Sequence, residues 1–140
     1  MFLLDTNIVF KLRQGKPNQS PKVRRWAAQQ SASRLFLSAI TILELEQGVL
    51  AQERRTPPQG SALRIWLTGV RAAFQGRVLH FTDHIATICA ALHVPNPRSE
   101  RDAMIAATAI EHGFTFVTRN TQEFVNTGVP MVNPWNEAVA

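Results

Sequence analysis

Three of the ten acidic residues in this 140-residue chain, Asp5, Glu44 and Asp102, fall where a folded chain would bring carboxylates together. Asp5 ends the apolar run Phe2-Leu-Leu. Glu44 falls in the first turn of a predicted helix behind the apolar triplet Leu35-Phe-Leu37, and Asp102 in the first turn of one that feeds the predicted strand Phe114–Val117. Thr118, Arg119 and Asn120 follow that strand directly. Carboxylates gathered at one edge repel one another unless a cation neutralises them. Oxygen-only ligands suit Mg²⁺, with Mn²⁺ as an alternative, and not zinc or copper. A carboxylate-held Mg²⁺ that keeps its waters can activate one as a nucleophile and stabilise charge on a phosphate.

Each acid also has a simpler reading. Thr41-x-x-Glu44 has the spacing of a capping box, and Ser99-x-x-Asp102 comes close to it. An acid in a helix's first turn is favoured by the helix dipole alone. Asp5 has no capping role unless a helix begins at once. Among the other polar residues, Glu46 points away from Glu44 around a helix and reads as solvated. His80 and His84 straddle a strand–helix boundary without the Glu of a zinc-protease motif. His93 and His112 read as dipole partners at helix ends. Cys89, Trp26 and Trp66 sit among aliphatic residues at helical spacing, as core or partner surface. No glycine-rich phosphate loop is present, and no Ser-His-Asp order can be argued.

The elements that would position these residues alternate. Short apolar strands at Phe2–Asp5, Leu35–Leu37, Val78–Leu79, Phe114–Val117 and Pro130–Val132 are separated by helical periodicities. The predicted helices follow Asp5 (with Gly15 as its stop), begin at Pro21 and at Ser38, and cover Ser61–Phe74, Thr82–Leu92 and Asp102–His112, with Gly113 as the last C-cap. The helix after Ser38 has apolar residues that include Ile42, Leu45, Val49 and Leu50. Residues 14–21 read as a loop, and Arg54–Gly60, with two prolines, as the most linker-like stretch. Alternation of this kind implies a mostly parallel sheet covered by helices on both faces. In such a sheet, helix N-termini share an edge with strand C-termini, where ligands bind. All the residues of the first paragraph map to that edge.

Composition narrows the class. The length suits a single domain spanning 1–140. One cysteine excludes an internal disulfide framework and a Cys-rich zinc site, and fits a reducing, cytoplasmic setting. No signal peptide or membrane span is expected. Twelve of the fifteen basic residues are arginines, the net charge is +5 and the pI is near 10.7. That balance favours a polyanionic partner.

Four segments in order, Phe-Leu-Leu-Asp5-Thr6-Asn7, Ser38-Ala-Ile-Thr41-Ile-Leu-Glu44-Leu-Glu-Gln-Gly48, Arg101-Asp102-Ala-Met-Ile-Ala-Ala107 and Val-Thr118-Arg119-Asn120, resemble those of PIN-domain proteins, specifically the VapC-type toxins of toxin–antitoxin pairs. The resemblance runs from Phe2 to about Trp135. It implies a Mg²⁺-dependent endoribonuclease in a three-layer α/β/α domain, homodimeric and held inactive by a cognate antitoxin. Asp5, Glu44 and Asp102 carry over as catalytic metal ligands, with Thr6 and Asn7 as supports. Thr118 would hold a metal-bound water or a phosphate. The family often has a fourth acid where this chain has Asn120, a departure that bears on a second metal site; Glu123 lies one turn later.

Arg98, Arg101 and Arg119 flank the acids in sequence and are candidates for positioning the RNA backbone, although Arg101 could equally pair with a local acid. Two rivals remain at this point. A phosphatase of the haloacid dehalogenase type needs a second Asp two residues after the first, where this chain has Asn7. A non-catalytic module binding RNA or a partner on the same fold needs only the basic surface. Apolar surface on the first helices would seat the antitoxin.

Overall fold

Adjacent residues of the central strands bury their side chains on opposite sides, which forces helices onto both faces of the sheet. In the computed structural model, which describes residues 1–13 and 20–136, β1 (Phe2–Leu4) places Leu3 in one buried cluster and Leu4 in the other. Phe116 and Val117 of β4 (Thr115–Val117) divide in the same way. With β2 (Leu35–Ser38), β3 (Val78–Leu79) and β5 (Met131–Val132), these strands form one sheet of order β3-β2-β1-β4-β5 in which every pairing is parallel.

One face packs on α5 (Asp83–Leu92) and α6 (Glu100–His112), whose Ala103, Ala106, Ala107 and Ala109 are fully buried. The other packs on α1 (Thr6–Lys11), α2 (Pro21–Ala28), α3 (Ala39–Arg55) and α4 (Pro57–Ala73) through Ile8, Val23, Trp26, Leu45, Val49 and Leu67. The result is the expected three-layer α/β/α architecture. No helix among the described residues is long and apolar enough to cross a membrane.

The stretch Arg54–Gly60 is not a linker. α3 runs to Arg55, where the Thr56 amide donates to the Gln52 carbonyl at 2.9 Å, and α4 begins at the next residue. Pro57 and Pro58 fill the first-turn positions where no amide donor is needed. Gly60 brings the two helices backbone to backbone, since a Cβ there would lie 2.4 Å from the Glu53 Cα. The prolines and glycine that read as punctuation therefore serve a tight helical hairpin.

Smaller differences have local causes. Glu46, expected to be solvated, instead meets Arg64 at 2.8 Å and Arg71 at 3.2 Å across the α3–α4 contact. His84 pairs with Glu111 at 2.9 Å, and His93 Nδ1 accepts the Arg98 amide hydrogen at 3.0 Å. Gly113 ends α6 at a φ of 68°, as its position predicted. The expected stop at Gly15 and the loop over 14–19 lie outside the described residues.

Candidate active site

From β1 the chain steps outward through β2 and β3, then returns to β4 on β1's other side. That reversal opens a crevice at the carboxyl ends of β1 and β4. Asp5 and Thr118 stand there, one residue past each strand. The Asp5 amide donates to the Val117 carbonyl at 2.9 Å, extending the ladder and fixing both residues side by side.

Asp5 is 5% exposed and does cap a helix, because α1 begins at Thr6. One carboxylate oxygen accepts the Thr6 amide at 2.8 Å, and the other accepts the buried Thr118 hydroxyl at 2.8 Å. Capping therefore holds the acid at the crevice and does not take it away. Burial pushes its pKa up to about 6; the charge of Asp102 adds to this, and the bonds from Thr118 and Thr6 oppose it.

Glu44 reaches the same place from α3. The Thr6 hydroxyl donates to Glu44 Oε1 at 2.6 Å and lies 3.1 Å from the buried Thr41 hydroxyl, which can donate back to it. The capping-box reading of Thr41-x-x-Glu44 is overturned, since Ser38 caps α3 by accepting the Ile40 amide at 3.0 Å and Thr41 lies inside the helix. The corresponding reading of Ser99-x-x-Asp102 fails as well. The Ser99 amide donates to the Glu123 carboxylate at 2.7 Å, and the Ser99 side chain makes no cap.

Asp102 is left facing the crevice from the first turn of α6. Burial raises its pKa, and the negative charges of Glu123 and Glu44 add to this against a hydrogen bond from Asn120. That bond runs from Asn120 Nδ2 to Asp102 Oδ2 at 3.4 Å, while the Asn120 amide donates to Thr118 Oγ1 at 3.1 Å. Glu123 contributes charge, but its carboxylate is engaged by the Ser99 amide.

The three flanking arginines are differently placed. Arg98 donates to the carbonyls of Leu92, at 2.6 Å, and Glu123, and lies 5.7 Å from the Phe124 ring centroid, tying the segment before α6 to the one after β4. Arg101 meets the Gln47 side-chain oxygen instead of an acid. Arg119 sits 4.6 Å over the Trp135 ring.

Asp5, Glu44 and Asp102 line one pocket of about 250 Å³ with Thr6, Asn7, Phe10 and Gly48. The salt bridges among the described residues involve Glu46, Glu53 and Glu111, and none neutralises these three acids. Nor do any three acidic, His or Cys side chains among the described residues close into a ready-made metal cage. An open set of oxygen donors with uncompensated negative charge fits a Mg²⁺ ion that keeps much of its water, and offers nothing to a softer metal. Phe10 and Gly48 escape a reading based on chemistry-bearing types. Their only sequence signal is helical spacing, three residues beyond Asn7 and four beyond Glu44.

The PIN-domain family model matches residues 2–129. VapC ribonuclease Y4jK from Sinorhizobium fredii is 37% identical over 147 residues, covering 99% of this chain and all of that protein. A chain in the crystal structure of FitAcB from Neisseria gonorrhoeae superposes with a TM-score of 0.87 at 31% identity, over 98% of this chain and 100% of that one. A chain of a toxin–antitoxin complex from Klebsiella pneumoniae does so with a TM-score of 0.68 at 26% identity, over 96% and 98%.

Proposed function

Because the chain belongs to the PIN-domain family, we propose that it is the toxin of a toxin–antitoxin pair, a Mg²⁺-dependent endoribonuclease (Mn²⁺ substituting) that hydrolyses RNA phosphodiester bonds in the cytoplasm. One observation carries this reading: three carboxylates line a single pocket, two of them with pKa values raised by burial and mutual repulsion, and no basic side chain among the described residues neutralises them. The identity with a VapC ribonuclease supports the choice of substrate class.

Asp5, Glu44 and Asp102 would hold the ion. Bound there, it would polarise a phosphodiester and acidify a water. The chain's own residues supply preorganisation. Thr6 and Thr118 fix both oxygens of Asp5, the Thr6 hydroxyl holds one oxygen of Glu44, and Asn120 steadies Asp102. Charges aimed in advance need not reorganise as the reaction proceeds, which is where such sites gain rate. Asn7 is exposed at the pocket's rim, open to the substrate. Arg98 and Arg101 spend guanidinium N–H donors within the fold, whereas Arg119 is exposed and meets the Trp135 ring through its face, which makes it the strongest of the three candidates for an RNA phosphate contact.

An antitoxin partner is supported by the similarity to a chain of a toxin–antitoxin complex. The apolar surface available to it differs from expectation. The large exposed apolar side chains among the described residues include Leu43 and Leu50 on α3 and Ile65 on α4, and none lies on α1 or α2. We assign the homodimer contact or the antitoxin seat to the α3–α4 surface.

A second reading, a module that binds RNA without cutting it, is favoured by the neutral Asn120 and by the engagement of Glu123 with Ser99. The test is cleavage of total cellular RNA by the purified chain in Mg²⁺, in EDTA and with Asp5→Asn, with the new ends sequenced. Cuts at a few sites, lost in both controls, support the nuclease. Intact RNA that is retained by the folded protein supports the module.

A further inference from the structure

We infer that Trp135 is a positioning residue: its indole holds the Arg119 guanidinium at the carboxyl edge of the sheet, ready for an RNA phosphate next to the one held at the carboxylates. The inference rests on the nuclease reading for its substrate and extends it to how the RNA backbone is gripped. Arg119 follows Thr118 directly. The Thr118 hydroxyl donates to Asp5, and its amide donates to the Val132 carbonyl at 3.0 Å. One hydrogen-bonded register therefore runs from Asp5 across β4 to the end of β5, and Trp135 stands three residues past that end.

The turn that carries the indole is itself fixed. Pro134 is buried, Asn133 Oδ1 accepts the Trp135 amide at 3.0 Å, and the Asn136 amide donates to the Asn133 carbonyl at 3.0 Å. Lys22 of α2 reaches the Trp135 carbonyl at 3.5 Å, and the half-buried indole packs against the cluster that includes Leu4 and Val117. Arg119 is exposed, with its guanidinium carbon 4.6 Å from the ring centroid.

A ring engages a guanidinium through its face and leaves the in-plane N–H donors for a phosphate. Other arginines beside rings are used differently. Arg77 lies 4.9 Å over Phe74 and Arg98 5.7 Å over Phe124, but both donate to backbone carbonyls and tie chain segments together. Arg34 lies 5.3 Å over Phe2, just ahead of β2, at the amino edge of the sheet. Arg119 makes the shortest of these contacts and stands at the edge that carries Asp5, and no carboxylate among the described residues pairs with it. A guanidinium ordered before RNA arrives gives up less freedom on binding than an unrestrained one.

The probe is a short, labelled single-stranded RNA of mixed sequence, bound in Mg²⁺ by the Asp5→Asn chain, which separates binding from cleavage. Fluorescence anisotropy over a range of salt gives the affinity and, from its salt slope, the number of phosphate contacts. Arg119→Gln should weaken binding roughly fivefold at about 0.1 M salt and lower the slope by about 0.7. Trp135→Leu should weaken it roughly two- to fivefold, and Trp135→Phe should not. The double variant Arg119→Gln/Trp135→Leu should bind no worse than Arg119→Gln, because the indole acts through the arginine. Arg119→Lys, which leaves the packing of Trp135 untouched, should restore the slope without restoring the affinity. Arg34→Gln removes the same charge at the other edge and should leave the slope unchanged. Melting curves confirm folding of each. Additive losses in the double variant, full affinity in Arg119→Lys, an equal loss in Arg34→Gln, or no RNA binding overturns the inference. Cleavage by the unmodified chain is scored separately. Coupled losses of binding without any cleavage sink the nuclease reading alone, and cleavage with additive losses sinks only the role of Trp135.

Discussion

Thr118 donates its hydroxyl hydrogen to Asp5 Oδ2 across 2.8 Å, joining the ends of two adjacent parallel strands whose residues are 113 apart in sequence. Both groups are buried, and the bond lowers the cost of keeping Asp5 ionised there. It is the contact on which the acidic end of the site is registered.

Thr118→Val removes this donor and also the acceptor for the Asn120 amide. Loss of a buried partner costs about 1–3 kcal/mol, so chemical denaturation should show destabilisation in that range. With its hydrogen bond gone, Asp5 should hold its proton to higher pH, and the acid limb of the cleavage–pH profile should move upward. Thr118→Ser should restore the profile. An unshifted limb in a folded Thr118→Val protein would separate Asp5 from that limb.

The contribution of Asp5 to metal-free stability, read as the difference between the unmodified chain and Asp5→Asn, should fall as pH rises from 3.8 to about 6, the interval between the ordinary aspartate value and that of Asp5 in the fold. The sign follows from proton counting: in that window the folded state binds more protons than the unfolded one, so raising pH favours unfolding. Ionised Asp5 costs about 3 kcal/mol by the end of the window. Asp5→Asn escapes that cost and keeps a competent cap, while giving up one hydrogen bond worth about 1 kcal/mol. In EDTA at neutral pH the variant should melt several degrees above the unmodified chain. Adding Mg²⁺ should raise the melting temperature of the unmodified chain only. A variant that melts lower in EDTA would contradict the burial argument.

Asn120→Asp places a fourth carboxylate beside Asp102 and removes the amide that donates to it. In saturating Mg²⁺ or Mn²⁺, cleavage should be equal or higher. Without metal, the added repulsion should lower the melting temperature. A large loss of cleavage in a folded variant would show that the Asn120 amide itself is needed.

Two glycines of α4 should respond oppositely to alanine. At Gly60 the new methyl would lie 2.4 Å from the Glu53 Cα, so the α3–α4 hairpin must open, at a cost of about 1–3 kcal/mol or more. At Gly69 nothing lies within 4 Å, and alanine should stabilise the helix by up to about 1 kcal/mol. Denaturation midpoints of the two variants check the difference in sign.

The sheet and the convergence of Asp5, Glu44 and Asp102 were legible because burial period and edge topology are encoded in short runs such as Phe2-Leu-Leu-Asp5. The capping relationships were not. Ser38 in place of Thr41, and Glu123 reaching back to Ser99, depend on where each helix begins and on a partner 24 residues away. The α3–α4 hairpin was misread because Pro57, Pro58 and Gly60 have the composition of a break, while their function is set by the close approach of a neighbouring backbone. Phe10 and Gly48 carry no chemistry of their own, so only the facing of α1 and α3 reveals them.

The strand order has a consequence for biosynthesis. Asp5 is synthesised before its partner Thr118, which follows it by 113 residues, and before the neighbouring Asp102. The sheet cannot place β4 beside β1 until all the intervening helices have emerged, and such long-range pairing is slow. A half-made chain therefore has its first acid and no assembled pocket. Under the proposed nuclease function, a chain that ends before β4 has no site with which to cut RNA.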